Sequence, residues 1–175
     1  MEEKLFSEEQ IKAKVQELAS RLVSDYRGKR PLVVGILNGC VPFLSDLIRA
    51  MDEPLEVDFI SCSSYGGSTK SSGVVRLLKD LEQGIEGRHV LLVEDIIDTG
   101  LTLKYLVENL QTRKPETIEI CTLLDKAEAR TQSVAVKYTG FACPNRFVVG
   151  YGLDYAGLYR NLPYIGVLKP EIYSE

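Results

Sequence analysis

Apolar residues near the start of the chain recur with the spacing of an amphipathic helix. They follow Ser7-Glu8-Glu9-Gln10, a stretch with the S-x-x-Q form of a capping box, and Gly28 comes after them. The pattern predicts a helix that begins after Ser7 and ends near Gly28. Its buried face is expected to carry Ile11, Val15, Leu18 and Leu22.

Short apolar runs along the rest of the chain predict the strands of a buried sheet. The clearest runs are 31–37 and 90–93, and further strands are expected at 55–62, 74–78, 117–124, 146–149 and 165–168. Helices are expected from the Asn38-Gly39 turn to about Met51 and over 101–110. Strands that alternate with helices are typical of an α/β fold with a mainly parallel sheet. Since no repeat or linker interrupts the pattern, we expect one domain over residues 1–175.

The segment 63–73, with the sequence SSYGGSTKSSG, is rich in glycine and serine and predicts a mobile loop. It has a superficial likeness to a phosphate-binding P-loop, but it lacks the Gly-Lys pair and a helix pattern directly after it. A flexible surface loop is therefore the favoured interpretation. The chain also lacks a G-x-G-x-x-G motif, so a Rossmann dinucleotide site is not supported.

Composition and charge narrow the classes of function. Hydrophobic residues make up 45% and charged residues 26% of the chain, and the net charge is −4, which fits a globular protein. No long run of Lys or Arg occurs, so binding to nucleic acid or to an anionic membrane is not favoured. The N-terminus lacks the pattern of a signal peptide, and no apolar run approaches the ~20 residues that span a bilayer.

The cysteines and the single histidine do not point to a metal site. Cys40, Cys62, Cys121 and Cys143 lie far apart without a C-x-x-C pair, which disfavours a zinc site. We interpret them as reduced thiols of a cytoplasmic protein. His89 directly precedes a strand run, and we interpret it as structural or solvent-facing rather than catalytic.

The stretch VLLVEDIIDTGLTL, from Val90 to Leu103, concentrates acidic and hydroxyl residues between a strand and a helix. The backbone N–H groups and threonine hydroxyls of residues 98–102 can cradle a phosphate at the positive end of the helix. Glu94 and Asp95 would repel that phosphate unless they bind hydroxyl groups or a metal ion, and a sugar phosphate meets both demands. The alternative is a helix cap beside acidic loop residues. Three acids, one glycine and two threonines in so short a span favour the binding site.

This stretch closely resembles the phosphoribosyl-pyrophosphate (PRPP) signature of type I phosphoribosyltransferases, and its EDIIDTG core is similar to the hypoxanthine-guanine branch. The similarity continues in the family's order: Ser64-Tyr65 opens the long loop, Leu124-Asp125-Lys126 follows a strand, and PNRFVVGYGLDYAGLYRNLPYIGVL covers residues 144–168. The resemblance implies a central, mainly parallel sheet flanked by helices, with a small hood formed from the terminal segments. It also implies a homodimer or a homotetramer.

In this family a purine base displaces pyrophosphate from PRPP and gives a nucleoside 5′-monophosphate. The resemblance therefore implies purine salvage, with hypoxanthine and guanine as the bases. Glu94 and Asp95 match the acidic pair that binds the ribose hydroxyls, directly or through Mg²⁺. Asp98 matches the general base, which exchanges a proton with N7 of the purine. The 5′-phosphate cradle is matched by Thr99, Gly100, Leu101 and Thr102.

Three further residues match the purine site of the family. Lys126 matches the lysine that donates to the 6-oxo group, which favours hypoxanthine and guanine over adenine, whose 6-amino group is itself a donor. Phe147 matches the aromatic residue that stacks on the base, and Val148 matches the residue whose backbone meets the edge of the base. Without the motif, Lys126 would be interpreted as a solvated charge and Phe147 as a core residue.

The pyrophosphate side of the site is matched by residues from several segments. Asn38 and Gly39 match a pyrophosphate-binding turn in which relatives often carry Lys before the glycine. Asn38 removes that charge, so donation from the backbone N–H groups of the turn is what we expect to remain. Asp154 matches a Mg²⁺ ligand near the pyrophosphate. The other matching pyrophosphate contacts are Ser64, Tyr65 and Arg160.

Two other functions stay open at this point. A PRPP-sensing regulator of the same fold would bind nucleic acid through a basic face, whereas this chain is acidic and keeps Asp98 and Lys126. A xanthine- or guanine-preferring enzyme would differ at the 2-position of the purine, which the resemblance assigns to backbone groups. The sequence therefore favours a hypoxanthine-guanine enzyme without ranking the two bases.

Overall fold

The computed structural model describes residues 1–64 and 74–174 of the chain, without the side chain of Ser64. These residues form nine strands: β1 (Glu3–Phe6), β2 (Leu32–Leu37), β3 (Glu56–Ser64), β4 (Val75–Lys79), β5 (His89–Ile97), β6 (Thr117–Asp125), β7 (Tyr138–Ala142), β8 (Val148–Val149) and β9 (Ile165–Val167). They also form four α-helices: α1 (Glu8–Tyr26), α2 (Val41–Ala50), α3 (Leu101–Gln111) and α4 (Pro170–Tyr173).

Six strands form one sheet in the order β4-β3-β2-β5-β6-β7. Neighbouring strands are parallel from β3 to β7, and the edge strand β4 runs antiparallel to β3. Alternate residues of β5 divide between two cores. Leu91 and Val93 pack on the side of α1 and α2, and Val90 and Leu92 pack on the side of α3. The α/β fold with a mainly parallel sheet is therefore confirmed.

The first helix begins as its sequence predicted. Ser7 Oγ accepts a hydrogen bond from the N–H of Gln10 at 3.2 Å, and Gln10 Oε1 accepts one from the N–H of Ser7 at 2.8 Å. The capping box thus gives partners to two N–H groups that would otherwise lack them at the helix start. The predicted buried face is confirmed, because each of its four residues is no more than 3% exposed: Ile11, Val15, Leu18 and Leu22.

The strand β5 is longer than the apolar run predicted. The run ends at Val93, but the strand continues through Glu94 and Asp95 to Ile97, because β6 keeps pairing with it as far as Asp125. The pairing of β2 with β5 ends at Val93, although β2 continues to Leu37, so the last part of β5 is paired on the β6 side alone. The two carboxylates therefore lie within a strand, and the backbone fixes their directions.

The second sheet joins β1, β9 and β8 as antiparallel neighbours and so links the two terminal segments. Glu3 of β1 lies opposite Val167 of β9, which in turn lies opposite Val148 of β8. Arg146 adds ion pairs to the same link, since its Nη atoms lie 2.6 Å from Glu3 and 2.5 Å from Glu2. The strand that contributes to the predicted purine site is thereby held by the N-terminal segment.

Several boundaries differ from the predicted ones. The strands β1 and β7 and the short helix α4 were not predicted, because β1 and β7 form only by pairing with strands distant in sequence and α4 has only four residues. The strand expected at 146–149 is reduced to Val148–Val149. Ser63 and Ser64 belong to β3 rather than to the expected loop, because both pair with β4. The rest of that loop, including Tyr65, lies outside the described residues.

The four cysteines, Cys40, Cys62, Cys121 and Cys143, are free. Burial raises the pKa of the Cys121 thiol to about 12, so this group stays protonated and unreactive at neutral pH. Within the described ranges, no helix has both the length and the apolar character needed to cross a membrane.

Candidate active site

A cavity of about 240 Å³ opens at the carboxyl end of β5, beside the end of β2. Ligands of open parallel sheets bind at this edge, where the ends of the strands diverge. The predicted acidic pair, phosphate cradle and pyrophosphate turn therefore meet at one cavity. Its wall comprises residues 94–103 together with Ile36, Leu37, Gly39 and Cys62.

The acidic pair sits in this wall with little solvent around it. Glu94 is only 9% exposed. Burial raises its pKa well above the usual value, and the neighbouring charge of Asp95 raises it further. Burial also raises the pKa of Asp95, although hydrogen bonds and the positive charge of Arg160 oppose this shift. Two adjacent carboxylates with raised pKa values are arranged to take up a cation or to accept hydrogen bonds from hydroxyl groups.

The donor set of this pair fits Mg²⁺ that brings further ligands with it. Among the described residues, no group of three or more His, Cys, Asp or Glu side chains converges on one point. Mg²⁺ is commonly bound by one or two carboxylates, with substrate phosphates and water completing its six ligands. Glu94 and Asp95 are the residues that would hold it.

Asp154 has other partners in this structure. One of its carboxylate oxygens accepts a hydrogen bond from the N–H of Gly157 at 2.8 Å, and the other lies 3.1 Å from Arg160 Nη2. These contacts close the turn that follows β8. The role of Asp154 as a Mg²⁺ ligand stays a prediction.

The predicted phosphate cradle is the turn between β5 and α3. Gly100 is the N-cap of α3 with a φ of 86°, a left-handed conformation that glycine adopts most readily. A Cβ at this position would lie 2.9 Å from Arg130 Cδ and 3.0 Å from the Gln132 carbonyl oxygen, so space also requires glycine. The first N–H groups of the helix lack helical partners and carry its positive dipole. Thr99 Oγ1 accepts from the N–H of Leu101 at 3.3 Å, which shapes the turn.

Asp98 and Lys126 come from separate strand ends and meet at the edge of this turn. Lys126 Nζ lies 3.8 Å from Asp98 Oδ2. The N–H of Lys126 donates to the carbonyl oxygen of Ile97 at 3.0 Å, which fixes the two backbones together. Lys126 is only 8% exposed, so the interpretation as a solvated surface charge is wrong for this residue. A buried ammonium beside a carboxylate offers one donor and one acceptor to a ligand.

The predicted stacking residue belongs to an aromatic cluster. Phe147 is 37% exposed, and its ring stacks on Tyr173 with centroids 4.8 Å apart. Tyr155 meets it edge to face at 5.7 Å. Phe147 and Lys126 both line a cavity of about 450 Å³. Sequence reasoning missed Tyr173 because α4 is too short to leave a periodic pattern.

The predicted pyrophosphate turn packs directly against the acidic pair. A Cβ at Gly39 would lie 1.8 Å from Asp95 Oδ2, and a Cβ at Gly152 would lie 2.0 Å from the Gly39 carbonyl oxygen. Arg160 Nη1 donates to the Gly152 carbonyl oxygen at 2.6 Å. The Asn38 side chain is exposed. The structure therefore brings Gly39, Asp95, Gly152 and Arg160 together, and the Gly-Tyr-Gly pattern at 150–152 was the signal that could have pointed to Gly152.

Comparison with known proteins shows the family to which the chain belongs. Residues 2–156 match the family model of the phosphoribosyl transferase domain. The chain is 54% identical over 174 residues to the hypoxanthine-guanine phosphoribosyltransferase of Bacillus subtilis, covering 99% of this chain and 97% of that one. The chain belongs to the hypoxanthine-guanine phosphoribosyltransferase family.

A crystal structure of a hypoxanthine phosphoribosyltransferase from Staphylococcus aureus is similar to this chain over its whole length. The TM-score is 0.96 and the identity 51%, with 100% of this chain and 95% of that chain covered. A longer relative in Listeria innocua, named bifunctional protein TilS/HprT, is 54% identical over 171 residues. The chain spans about a quarter of that relative, 26% of its length, and 98% of this chain is covered.

The acidic pair Glu94 and Asp95 should lower the stability of the folded chain. Because the folded-state pKa of Glu94 is raised, the associated stability is present below the ordinary glutamate pKa and is lost as pH rises through the raised pKa. The glutamine side chain of Glu94→Gln does not titrate. This variant should therefore have a melting temperature a few degrees above that of the parent chain at about pH 8, and a smaller increase at about pH 5. Glu86→Gln, at an exposed position, is the control. If Glu94→Gln and the parent chain had equal melting temperatures at both pH values, this expectation would be contradicted.

Proposed function

We propose that the chain transfers the 5-phosphoribosyl group of PRPP to hypoxanthine and guanine, giving IMP or GMP and pyrophosphate in purine salvage. The B. subtilis relative, which carries the name of this activity, supports the proposal. The observation that carries it is the 3.8 Å separation between Lys126 Nζ and Asp98 Oδ2. A 6-oxopurine presents O6 and N7 side by side on one edge. When N7 carries a proton, the Lys126 ammonium can donate to O6 while the Asp98 carboxylate accepts from N7–H.

The base is read by its edge and by its face. Lys126 donates to O6, and Asp98 accepts from N7–H. Phe147 offers an exposed aromatic ring to the face of the base, and the Val148 backbone meets the far edge. Adenine presents a 6-amino group where Lys126 needs an acceptor, so two donors would face each other.

PRPP extends from the cradle to the pyrophosphate turn. Its 5′-phosphate accepts from the N–H groups and hydroxyls of residues 99–102 at the start of α3. Its ribose hydroxyls meet Glu94 and Asp95. The pyrophosphate lies toward the Asn38-Gly39 turn and Arg160, and Asp154 lies nearby as the second acidic group. Ser64 and Tyr65 are proposed as further pyrophosphate contacts.

Transfer is a single exchange at C1′ of the ribose. N9 of the purine forms a bond to C1′ as the bond from C1′ to the pyrophosphate oxygen breaks, and the electron pair leaves with pyrophosphate. The positive charge that develops on the ribose is stabilised by the Glu94–Asp95 pair beneath it. The N7 proton moves to the Asp98 carboxylate, which leaves a neutral purine in the product. When bound, Mg²⁺ would offset the negative charge of the leaving pyrophosphate.

Removal of divalent cations should abolish nucleotide formation. The carboxylates of Glu94 and Asp95 would repel an anionic substrate. The charge of Arg160 does not remove this repulsion, because Arg160 already binds Asp154 and the Gly152 carbonyl oxygen. PRPP binding, measured by calorimetry, should therefore weaken strongly after chelation and recover on addition of Mg²⁺. Full activity after exhaustive chelation would show that no metal ion is needed.

The proposal is tested by supplying PRPP and Mg²⁺ with each of four bases: hypoxanthine, guanine, xanthine and adenine. Formation of IMP and GMP with release of pyrophosphate supports it. Turnover of xanthine and guanine without hypoxanthine would favour the xanthine- or guanine-preferring alternative. PRPP binding without turnover of any base would reject the enzyme and favour the PRPP-sensing regulator.

The remaining parts of the proposal concern the whole protein. We propose a single domain over residues 1–175 in which the sheet of β1, β9 and β8 is the hood, since this sheet carries Val148 next to Phe147. A cytoplasmic homodimer or homotetramer is the expected state, and four free cysteines fit a reducing compartment. Light scattering after size-exclusion chromatography measures the number of subunits.

A further inference from the structure

The side chain of Arg130 lies between the two loops that carry Asp98 and Lys126. Its Nε donates to the carbonyl oxygen of Asp98 at 3.3 Å, and its Nη2 pairs with the carboxylate of Asp125. Asp125 ends β6 and directly precedes Lys126. A single guanidinium therefore contacts the residue that supplies the proposed base and the neighbour of the proposed purine donor.

The residues after Arg130 bind the same turn from behind. The N–H groups of Thr131 and Gln132 both donate to the Thr99 carbonyl oxygen, at 2.9 and 3.0 Å. Gln132 Oε1 accepts from Lys104 Nζ at 3.1 Å, which adds a contact with the first turn of α3. The segment 130–132 thus supports the phosphate cradle along its outer side.

The charge of Arg130 is satisfied without the Asp98 carboxylate. The guanidinium forms an ion pair with the Asp125 carboxylate. The side chains of Arg130 and Asp125 are only 20% and 25% exposed, so the ion pair is partly shielded from solvent. Asp98 is contacted through its backbone oxygen, and its carboxylate stays available to Lys126 and to a purine. A planar guanidinium can make both contacts at once because its donors lie in a fixed fork, which a lysine ammonium lacks.

We propose that Arg130 is a positioning residue that holds the Asp98 carboxylate and the Lys126 ammonium at their working separation. The inference rests on the proposed function. Each loop follows the end of a strand, and Arg130, through Asp125 and the Asp98 carbonyl oxygen, ties the two together. Displacement of reacting groups by about 1 Å can cost about 10²-fold in rate, so loss of this tie acts on catalysis without removing any group that touches the substrates.

The test compares Arg130→Lys with Arg113→Lys. Arg113 is a matched control because its guanidinium also pairs with an aspartate. Its two Nη atoms lie 2.8 and 3.0 Å from the carboxylate oxygens of Asp80, and its side chain is 29% exposed. It lies just past the C-terminal end of α3, opposite the cradle. Arg130→Lys is expected to lower kcat by about 10- to 100-fold, while Arg113→Lys stays within about twofold of the parent chain.

A double variant separates positioning from a general effect on folding. In the Asp98→Asn background the base is already lost, so adding Arg130→Lys should lower kcat little further. Multiplied losses would overturn the proposal, as would a kcat for Arg130→Lys within twofold of the parent chain. Equal losses in Arg130→Lys and Arg113→Lys would also overturn it. Nucleotide formation by the parent chain in the same assay distinguishes these failures from a failure of the proposed function.

Discussion

Replacement of Asp98 by asparagine is expected to lower kcat by roughly 10²–10⁴-fold, the usual contribution of a general base. Asparagine keeps the size and can accept a hydrogen bond, but it cannot take the N7 proton at neutral pH. PRPP affinity should change little, because we propose that the N–H groups and hydroxyls of residues 99–102, rather than Asp98, bind the phosphate. A small gain in affinity is consistent with the removal of one negative charge near the phosphate.

The helix-cap alternative gives the opposite result for this variant. Asparagine caps a helix about as well as aspartate, so a capping role would leave kcat unchanged. The structure already weakens that alternative, since the N-cap of α3 is Gly100. The measurements are kcat from nucleotide formation and PRPP affinity from calorimetry, with Asp52→Asn as the exposed control. A parent-like kcat in Asp98→Asn would remove this residue from the mechanism.

Adenine is expected to be used at least about 10⁴-fold less efficiently than hypoxanthine, in terms of kcat/KM. A site built around a hydrogen bond rejects a ligand that cannot complete it by about this factor. Lys126 is 8% exposed, so water cannot readily replace the missing acceptor. Steady-state kinetics with both bases measure the ratio, and efficient turnover of adenine would overturn the assignment of the base.

Lys126→Gln tests which residue produces this discrimination. The change removes a charged donor, so kcat/KM for hypoxanthine should fall roughly 10- to 100-fold. The glutamine amide oxygen can accept from the 6-amino group of adenine, so the ratio between the bases should narrow. Lys12→Gln, on the exposed side of α1, is the control and should leave both values unchanged. An unaltered ratio in Lys126→Gln would assign the discrimination to other groups.

Local patterns in the sequence predicted the parts of the fold whose causes are local. The capping box at Ser7 was readable because both of its hydrogen bonds span three residues. The turn at 98–102 was readable because it is continuous in sequence and directly precedes α3. The end of β5 was misjudged because the continued pairing comes from β6, a segment distant in sequence. The charges of Glu94 and Asp95 suggested a loop, but pairing with β6 keeps this segment in a strand.

The parts of the candidate site that escaped prediction depend on contacts between distant segments. Lys126 was predicted only through the family resemblance, and its contact with Asp98 arises because β5 and β6 bring the two residues together. Arg130 carries no motif, and its position follows from the path of the chain after β6. Tyr173 reaches Phe147 only because the small sheet returns the C-terminal segment to β8. Composition and spacing do not encode such contacts.

The contact of Gly39 with Asp95 and Gly152 has a consequence for how the chain can vary. Any side chain at position 39 would occupy the space of the Asp95 carboxylate, and any side chain at 152 would occupy that of the Gly39 carbonyl oxygen. Packed interiors absorb such overlaps poorly. The neighbouring Asn38 side chain is exposed, so it can be exchanged without disturbing either partner. Substitution is therefore expected to be tolerated at position 38 and excluded at positions 39 and 152.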